Sequence, residues 1–280
     1  MSPSEFGDLL VRLAPLAEAD KREREDSIQR QRAPGAGRKP HPFSVRLLVA
    51  LTHLRQGTSV RATAGFFDVH ERSVRRWRDE LERLLVAHGV VPPGGGAPLR
   101  TLGELAEYLS AQGSDGYVII DGTDVPRPRP GTWAKQRPAW SGKSKRHAVK
   151  GTVVADPDGN PIWFEANPSG EGRTQDITML RSGALLGALG LAGIAVLADL
   201  GYQGLGESIP GDVYTPRRRR PRRPLTRDDK LYNHALAQAR IRVEHSIATL
   251  KRWGALRHHR RPPLALDRTG QAITVLTSLR

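Results

Sequence analysis

The chain has 280 residues, and its 44 lysines and arginines outnumber its 29 aspartates and glutamates to give a formal net charge of +15. Because it contains no cysteine, disulfide scaffolds, thiol catalysis and cysteine-ligated zinc sites are excluded. A composition with 38% hydrophobic and 26% charged residues is typical of a folded protein, and the length predicts two domains. The positive excess, carried mainly by arginine, predicts a polyanionic partner.

Neither a secretion signal nor a membrane span is predicted. Pro3, Glu5 and Asp8 occupy positions where a signal peptide would have its apolar core. The longest uncharged stretch, residues 182–198, contains four glycines and is shorter than the roughly 20 apolar residues that a spanning helix needs. We therefore expect a cytoplasmic protein that makes no membrane contact.

Three stretches with the composition of loops divide the chain, at residues 30–40, 91–98 and 215–224. Their glycine, proline and arginine content is typical of linkers and mobile arms. They predict a basic N-terminal segment and arm at residues 1–40 and a helical unit at 41–90. A linker at 91–98 then precedes a larger domain at 99–280.

The spacing of apolar residues within 41–90 predicts three helices. The first has Ser44 as its N-cap and continues to about residue 54. The second covers residues 59–67 and the third covers residues 70–88. Trp77 belongs to the apolar stripe of the third helix, so we expect it in the core.

The other face of this third helix is basic and contains Arg72, Arg75, Arg76 and Arg78. Two short helices followed by an arginine-rich third helix are the pattern of a helix-turn-helix domain, whose third helix enters a DNA groove. An ordinary three-helix bundle with a solvated charged face is the alternative.

After the linker the pattern changes to short apolar runs, which predict strands at residues 116–120, 148–155, 162–166, 194–198 and 212–215. The segment Asp156-Pro-Asp-Gly-Asn160 is a strong hairpin signal between the second and third of these strands. Helices are predicted at 176–189 and 228–253. This order predicts an α/β fold, a mixed sheet with flanking helices, in addition to the N-terminal all-α domain.

Two of the predicted strands end on a carboxylate, Asp121 and Asp199. Functional groups gather at the carboxyl ends of strands in α/β sheets, so these two would meet if their strands are neighbours. A third acid, Glu244, shares one face of the 228–253 helix with Arg240 and Lys251. Each acid taken alone also fits a structural role, as a capping residue or a solvated side chain.

The three acids together favour a metal site. Converging carboxylates without cysteine or clustered histidine suit Mg²⁺, with Mn²⁺ as the alternative. Two such ions about 3.5–4 Å apart stabilise the attacking and leaving oxygens of an in-line phosphoryl transfer. The pattern therefore predicts phosphoryl-transfer chemistry at this site.

Four motifs occur in one order along the chain, and together they resemble the DDE-superfamily transposases of bacterial insertion sequences. They are Asp121-Gly-Thr, Trp140-Ser-Gly-Lys-Ser-Lys-Arg-His147, Leu197-Ala-Asp-Leu-Gly-Tyr-Gln-Gly204 and Arg242-Val-Glu-His-Ser-Ile-Ala-Thr-Leu-Lys-Arg-Trp253. The most similar branch shares its nuclease domain with Harbinger-type elements. The resemblance covers residues 40–280.

The resemblance implies a ribonuclease H-like DDE endonuclease domain at 99–280, with a catalytic and metal-binding triad of Asp121, Asp199 and Glu244. Asp121 would bridge two Mg²⁺ ions, while each of the other acids would hold one. Arg240 and Lys251 would contact the DNA backbone near the cleaved phosphate. Two positions depart from the family pattern, since Gln175 replaces a histidine before Asp176 and Ala237 replaces a tyrosine.

Two basic loops flank the predicted triad. The first contains Lys143, Lys145, Arg146, His147 and Lys150, and the second contains Arg217, Arg218, Arg219, Arg220, Arg222 and Arg223. Basic side chains that neutralise phosphates give DNA binding a strong salt dependence, so we expect both loops to contact DNA. A merely solvated loop is the alternative for each, and His147 fits a phosphate contact and a strand cap equally well.

These expectations combine into a Mg²⁺-dependent DNA transposase that binds terminal inverted repeats, hydrolyses a phosphodiester and transfers the new 3′ end to target DNA. Double-stranded DNA would be its partner, a homodimer or higher synaptic assembly its active form, and the nucleoid in the cytoplasm its location. The alternative is a catalytically silent, domesticated sequence-specific DNA-binding protein. A nuclease acting on RNA–DNA hybrids ranks lowest, because it gives no reason for a helix-turn-helix.

Overall fold

A computed structural model describes residues 2–27, 41–113, 116–221 and 223–279 of the chain. The predicted basic arm at residues 30–40 and Arg222 of the second basic loop lie outside these described residues. Among the helices that are described, none has the length and apolar character needed to cross a membrane.

Helices form the first part of the chain, and those from residue 43 onward follow the three that the sequence predicts. They are α1 (Pro3–Ser27), α2 (Phe43–Gln56), α3 (Val60–Phe66) and α4 (Glu71–His88). Trp77 is buried between them, as predicted. Ser59 caps α3 by accepting a hydrogen bond from the backbone N–H of Ala62, and His70 caps α4 through that of Arg72.

The helix α1 was not predicted. It contacts α4 and buries Leu9, Leu13 and Ala17. A fourth helix is thus packed onto the predicted three-helix unit. Its sequence contains seven acidic and four basic residues. Residues 3–27 are therefore acidic, although a basic N-terminal segment was expected.

Two details of the predicted helical unit are wrong. The first is the N-cap of α2, which is Pro42 and not Ser44; proline lacks an N–H and has φ fixed in the range that leads into a helix. The second is Arg78, which is buried and donates hydrogen bonds to Asp79. Arg78 therefore does not belong to the exposed basic face of α4.

The rest of the chain is a mixed α/β fold, which confirms the predicted class. Its elements are α5 (Leu102–Ser110), β1 (Tyr117–Pro126), α6 (Trp133–Ala139), β2 (Trp140–Ser141), β3 (Arg146–Ala155), β4 (Pro161–Ala166), α7 (Asp176–Ser182), α8 (Leu185–Ala192), β5 (Ala195–Leu197), β6 (Val213–Tyr214), α9 (Arg227–Leu250), α10 (Gly254–Arg257) and α11 (Ala265–Ser278). Short 3₁₀ turns follow β5 at Leu200–Tyr202 and Leu205–Glu207.

The sheet has the strand order β2-β3-β1-β5-β6, and β4 pairs with another part of β3. β1 is antiparallel to β3 and parallel to β5, which in turn is parallel to β6. The predicted hairpin between β3 and β4 is present, with the N–H of Asp156 donating to the carbonyl of Asn160. Because β1 and β5 are neighbours, the condition for bringing Asp121 and Asp199 together is met.

Two predicted element boundaries differ for identifiable reasons. β1 continues past Asp121 to Pro126 because its pairing with β3 continues as far as Pro126 and Ala148, so Asp121 lies within the strand and not at its end. The predicted helix at 176–189 is split into α7 and α8 around Gly183. There the Glu165 side chain accepts hydrogen bonds from the N–H groups of Ala184 and Leu185.

Two helices cover the sheet and set the position of the site. α9 packs against β1 and β3 and buries Leu236, Val243 and Leu250. α11 packs against β4 and also contacts α4. The ion pair of Arg261 with the fully buried Glu82 of α4 joins the helical part to the α/β part.

Candidate active site

Asp121 lies within β1, and Asp199 lies just after the neighbouring parallel strand β5 at the equivalent position of the register. The β1–β5 register pairs Tyr117 with Ala195 and Ile119 with Leu197, and two residues further along come the two acids. Asp121 is only 8% exposed. The Asp199 side chain accepts a hydrogen bond from the N–H of Gly201 at 2.7 Å and caps the turn after β5. The sheet thus places two carboxylates side by side.

Burial raises the pKa of the Asp121 carboxyl from 3.8 to about 6. The negative charge of Asp199 raises it as well, whereas Arg240, Lys143 and the backbone N–H of Gly122 lower it. The largest cause is loss of water around the charged form, and the neighbouring carboxylate adds repulsion. A cation between the two acids would relieve both effects.

Arg240 supplies positive charge at this point. Its Nη2 atom lies 3.8 Å from Oδ1 of Asp121, and both side chains are largely buried. Its Nε atom is buried with no hydrogen-bond partner among the described residues. In this structure the arginine predicted to contact DNA is therefore held against the first acid of the predicted triad.

Glu244 lies one helical turn beyond Arg240 on α9 and is exposed. It lines one open groove of about 660 Å³ together with Asp121. Asp124, Lys143, Arg146 and Lys251 line the same groove. The Lys251 ammonium donates a hydrogen bond to the backbone carbonyl of Asp124, and burial lowers its pKa.

The chemistry of the three acids fits a divalent metal ion, because their ligand atoms are all carboxylate oxygens. The buried Asp121 is also repelled by the charge of Asp199, and a cation would remove that repulsion. In this conformation Glu244 does not lie close enough to Asp121 and Asp199 to form a three-carboxylate metal site with them. Within the described ranges, no three acidic or histidine side chains are close enough together to hold a metal ion.

A largely buried ion pair lies beside the two aspartates, and it includes Lys150, which was expected to contact DNA with the first basic loop. The Nζ of Lys150 on β3 is 2.6 Å from Oδ1 of Asp176, the first residue of α7. The Asp176 carboxylate faces the backbone next to both acids, since a Cβ added at Gly122 would lie 2.6 Å from its Oδ1 and one at Gly201 3.2 Å from its Oδ2. The available signal was Lys150 itself, because a charged residue within an apolar strand needs a buried partner.

The first basic loop divides between two surfaces. Lys143 and Arg146 line the groove with Asp121 and Glu244. Lys145 is exposed in the turn between β2 and β3, where its φ is +54°. His147 lies on the other face of this hairpin, in edge contact with Trp140 at 5.3 Å between ring centroids.

The remaining predicted DNA-binding residues lie away from the groove. Arg217 pairs with Asp229 at 2.6 Å and lies over the ring of Tyr232, so it stabilises the start of α9. The next three arginines of that loop are exposed: Arg218, Arg219 and Arg220. On α4, Arg72, Arg75 and Arg76 are exposed, and Arg75 pairs with Glu71.

Comparison with known proteins identifies the α/β part of the chain. A profile described as DDE superfamily endonuclease matches residues 120–280, a range that contains all three predicted acids. The chain is 28% identical to a protein named as a transposase for insertion sequence element IS112 of Streptomyces albus G, over 92% of this chain and 83% of that protein. It is 31% identical to one named as a transposase for element IS702 of Microchaete diplosiphon, over 52% of this chain and 50% of that protein.

Among solved structures, the chain is similar to the Mos1 transposase in a paired-end complex with the left transposon end. The sequences are 13% identical, and the match covers 82% of this chain and 85% of that one with a TM-score of 0.23. A score of this size does not establish a shared fold.

Proposed function

The chain belongs to the DDE superfamily endonucleases, and on that premise we propose that it is a DNA transposase that uses divalent metal ions. It would bind the terminal inverted repeats of its element, hydrolyse a phosphodiester and join the released 3′ end to target DNA. Its similarity to two proteins named as insertion-sequence transposases supports this assignment.

The observation that supports the proposal is the position of Asp121 in β1 next to Asp199, which directly follows the adjacent parallel strand β5. Glu244 lines the same groove as Asp121. A buried carboxylate beside a second one costs stability, since Asp121 loses water and is repelled by the charge of Asp199. Such a pair is expected where charge is needed for chemistry. A protein that only binds DNA has no physical reason to keep it, which disfavours the catalytically silent alternative.

We assign Asp121 and Asp199 as ligands of the metal and Glu244 as the ligand that completes the set from α9. Two Mg²⁺ ions, or Mn²⁺ in their place, would polarise the phosphoryl group and lower the pKa of a bound water. Asp121 must be ionised and released from Arg240 before it can serve as a ligand. The freed guanidinium would then be available to a DNA phosphate, the role predicted for Arg240.

DNA binding is assigned to three basic surfaces. Lys143, Arg146 and Lys251 line the groove beside the acids, where they would hold the backbone of the strand being cut. Helix α4 would serve as the recognition helix of a helix-turn-helix, with its exposed arginines toward the DNA. Arg218, Arg219 and Arg220 would bind the flanking duplex.

The active form would be a homodimer or larger synaptic assembly, because two element ends must be brought together for excision. The mixed sheet with its parallel β1–β5 pair supports a ribonuclease H-like assignment for residues 99–280. A DNA-bound protein of this kind would be associated with the nucleoid in the cytoplasm.

The test is nicking of a duplex that contains the ends of the element, with Mg²⁺ and with EDTA. The wild-type protein should nick the DNA only with the metal, and Asp121→Asn should abolish nicking while DNA binding is nearly unchanged. Asp158→Asn, at an exposed position of the β3–β4 turn, is the matched control and should cut normally. Full activity of Asp121→Asn would overturn the assignment of the triad.

A further inference from the structure

A hollow of about 630 Å³ lies on the far side of the β2–β3 hairpin from the groove. Helix α6 and the hairpin form its walls, and its lining includes Trp133, Trp140 and His147. Trp133 is 76% exposed and Trp140 is 42% exposed. The two indoles therefore line the same hollow and expose flat apolar surfaces to solvent.

The other tryptophans show that this exposure is unusual for the chain. Trp77, Trp163 and Trp253 are all buried, as expected for large apolar side chains. Two exposed indoles in one concavity are typical of a surface that binds a partner. Trp140 is also held in place, since it pairs with His147 across the β2–β3 ladder and contacts its ring.

The charge around the indoles is positive. Arg129, Arg137 and Arg173 line the hollow, and all three are exposed. Among the described residues no acidic side chain lines this hollow, and Glu171 lines an adjoining one together with Trp133, Arg137 and Arg173. None of the three guanidinium groups forms an ion pair with a described residue. The occupant that fits is both flat and anionic, a nucleotide whose base stacks on indole and whose phosphates meet arginine.

The hairpin connects this hollow to the candidate active site. Successive side chains of a strand point to opposite faces. On one face, Ser141 donates a hydrogen bond to the Asp124 carboxylate and Arg146 lines the groove. On the other face, Trp140 and His147 line the hollow. A DNA strand in the groove is thus separated from the hollow by one two-stranded hairpin.

We propose that this hollow binds an unstacked nucleotide of a DNA strand that continues from the groove past the hairpin, with its base on the indoles and its phosphates on the arginines. The inference rests on the proposed function, because it takes DNA as the substrate. A base turned out of the helix loses its stacking partners, and the two indoles replace them. The hollow would thereby fix the position of the strand relative to Asp121 and Glu244.

Tryptophan emission gives a direct test, because only Trp133 and Trp140 are exposed enough to stack with a base. The full-length protein is titrated with a short oligothymidylate and with an abasic backbone of the same length and charge. We expect oligothymidylate to quench the emission and the abasic strand to quench it several-fold less. The double variant Trp133→Ala/Trp140→Ala lacks these two indoles, so its affinity is measured by the anisotropy of a labelled strand. It should bind oligothymidylate about tenfold more weakly than the wild type or worse, and no more tightly than it binds the abasic strand.

Two further variants separate stacking from a change in folding. Trp133→Phe/Trp140→Phe keeps an aromatic face at both positions and should retain most of the preference for oligothymidylate, now measured by anisotropy of a labelled strand. Leu191→Ala, at another highly exposed apolar position, should behave like the wild type. Equal binding of both strands by the wild type, or unchanged affinity of the alanine variant, would overturn the inference.

The nicking assay distinguishes this inference from the proposed function. Metal-dependent nicking without a preference for bases over abasic backbone means that the hollow is wrong and the transposase assignment holds. A base preference without any metal-dependent nicking means that the catalytic assignment is wrong, and the hollow is then a nucleotide site of a DNA-binding protein.

Discussion

The Nη2 atom of Arg240 lies 3.8 Å from Oδ1 of Asp121, and both side chains are largely buried. The guanidinium lowers the pKa of Asp121 and thereby opposes the effects of burial and of Asp199. Arg240 thus neutralises part of the acidic pair in this conformation. The metal ligation proposed for Asp121 would compete with its ion pair to Arg240 for one carboxylate.

The raised pKa of Asp121 predicts a pH-dependent cost to stability. The folded-state value of about 6 exceeds the ordinary 3.8, so the folded protein binds the proton more tightly than the unfolded chain does. This cost is absent below pH 3.8 and grows as the pH rises to about 6. In metal-free buffer, Asp121→Asn should therefore be more stable than the wild type at pH 7.5, by about 1–3 kcal/mol.

Urea denaturation at pH 4.5 and pH 7.5 measures this difference in the free energy of unfolding. The advantage of Asp121→Asn should shrink at the lower pH, where the wild-type carboxyl is largely protonated. A variant less stable than the wild type at pH 7.5 would show that Arg240 compensates fully for the buried charge.

The Lys150–Asp176 pair predicts a large effect of removing one partner. Lys150→Met leaves the Asp176 carboxylate buried beside Gly122 and Gly201 without its cation, which should cost about 3–5 kcal/mol of unfolding free energy. The double variant Lys150→Met/Asp176→Asn removes both charges and should recover much of the loss. Urea denaturation of the wild type and both variants at one pH measures the two effects. A Lys150→Met variant that is as stable as the wild type would show that the ion pair contributes nothing to the free energy of unfolding.

The division of the basic residues predicts different salt dependences of DNA binding. Lys143 and Arg146 line the groove, so Lys143→Ala/Arg146→Ala should lower the slope of log K against log salt by about 0.9 for each lost phosphate contact. Arg217 is already paired with Asp229, so Arg217→Ala should change the slope much less. Fluorescence anisotropy between 50 and about 300 mM salt compares them, and identical slopes for all three proteins would contradict this division.

The role of α4 is tested by reversing its exposed charge. The triple variant Arg72→Glu, Arg75→Glu, Arg76→Glu should lose protection of the terminal repeat in DNA footprinting, since these side chains face solvent and would meet phosphates and bases. The buried core around Trp77 is untouched, so the circular dichroism spectrum should not change. An unchanged footprint would return α4 to a purely structural role.

The sequence predicted the acidic pair because its signal is local. Asp121 follows an apolar run of β1 and Asp199 one of β5, and the parallel pairing of these strands is what the fold class implies. Glu244 followed from helical spacing, which places it on one face with Arg240 and Lys251. Each of these inferences needs only the pattern of a single element.

Contacts between distant elements could not be predicted in this way. Arg240 is on the same helical face as Glu244, but only the packing of α9 on β1 brings it to Asp121. Lys150 and Asp176 are separated by a whole hairpin and a loop. The continuation of β1 beyond Asp121 likewise depends on its partner strand β3, and the break between α7 and α8 depends on Glu165 of β4.

The hollow beside the hairpin is a further example. Trp133 and Trp140 belong to a segment whose helix, α6, has no apolar periodicity of its own. Whether their indoles are buried is decided by how α6 lies against the hairpin, so neither exposure nor proximity could be inferred from spacing.

The most direct measurement for the proposed metal site is binding of Mn²⁺, followed by electron paramagnetic resonance in the absence of DNA and with a bound duplex end. Wild-type protein should bind the ion with DNA present, and Asp121→Asn and Asp199→Asn should each weaken binding at least tenfold, whereas Asp158→Asn should not. Binding by both aspartate variants that equals wild-type binding would contradict a metal site at the Asp121–Asp199 pair.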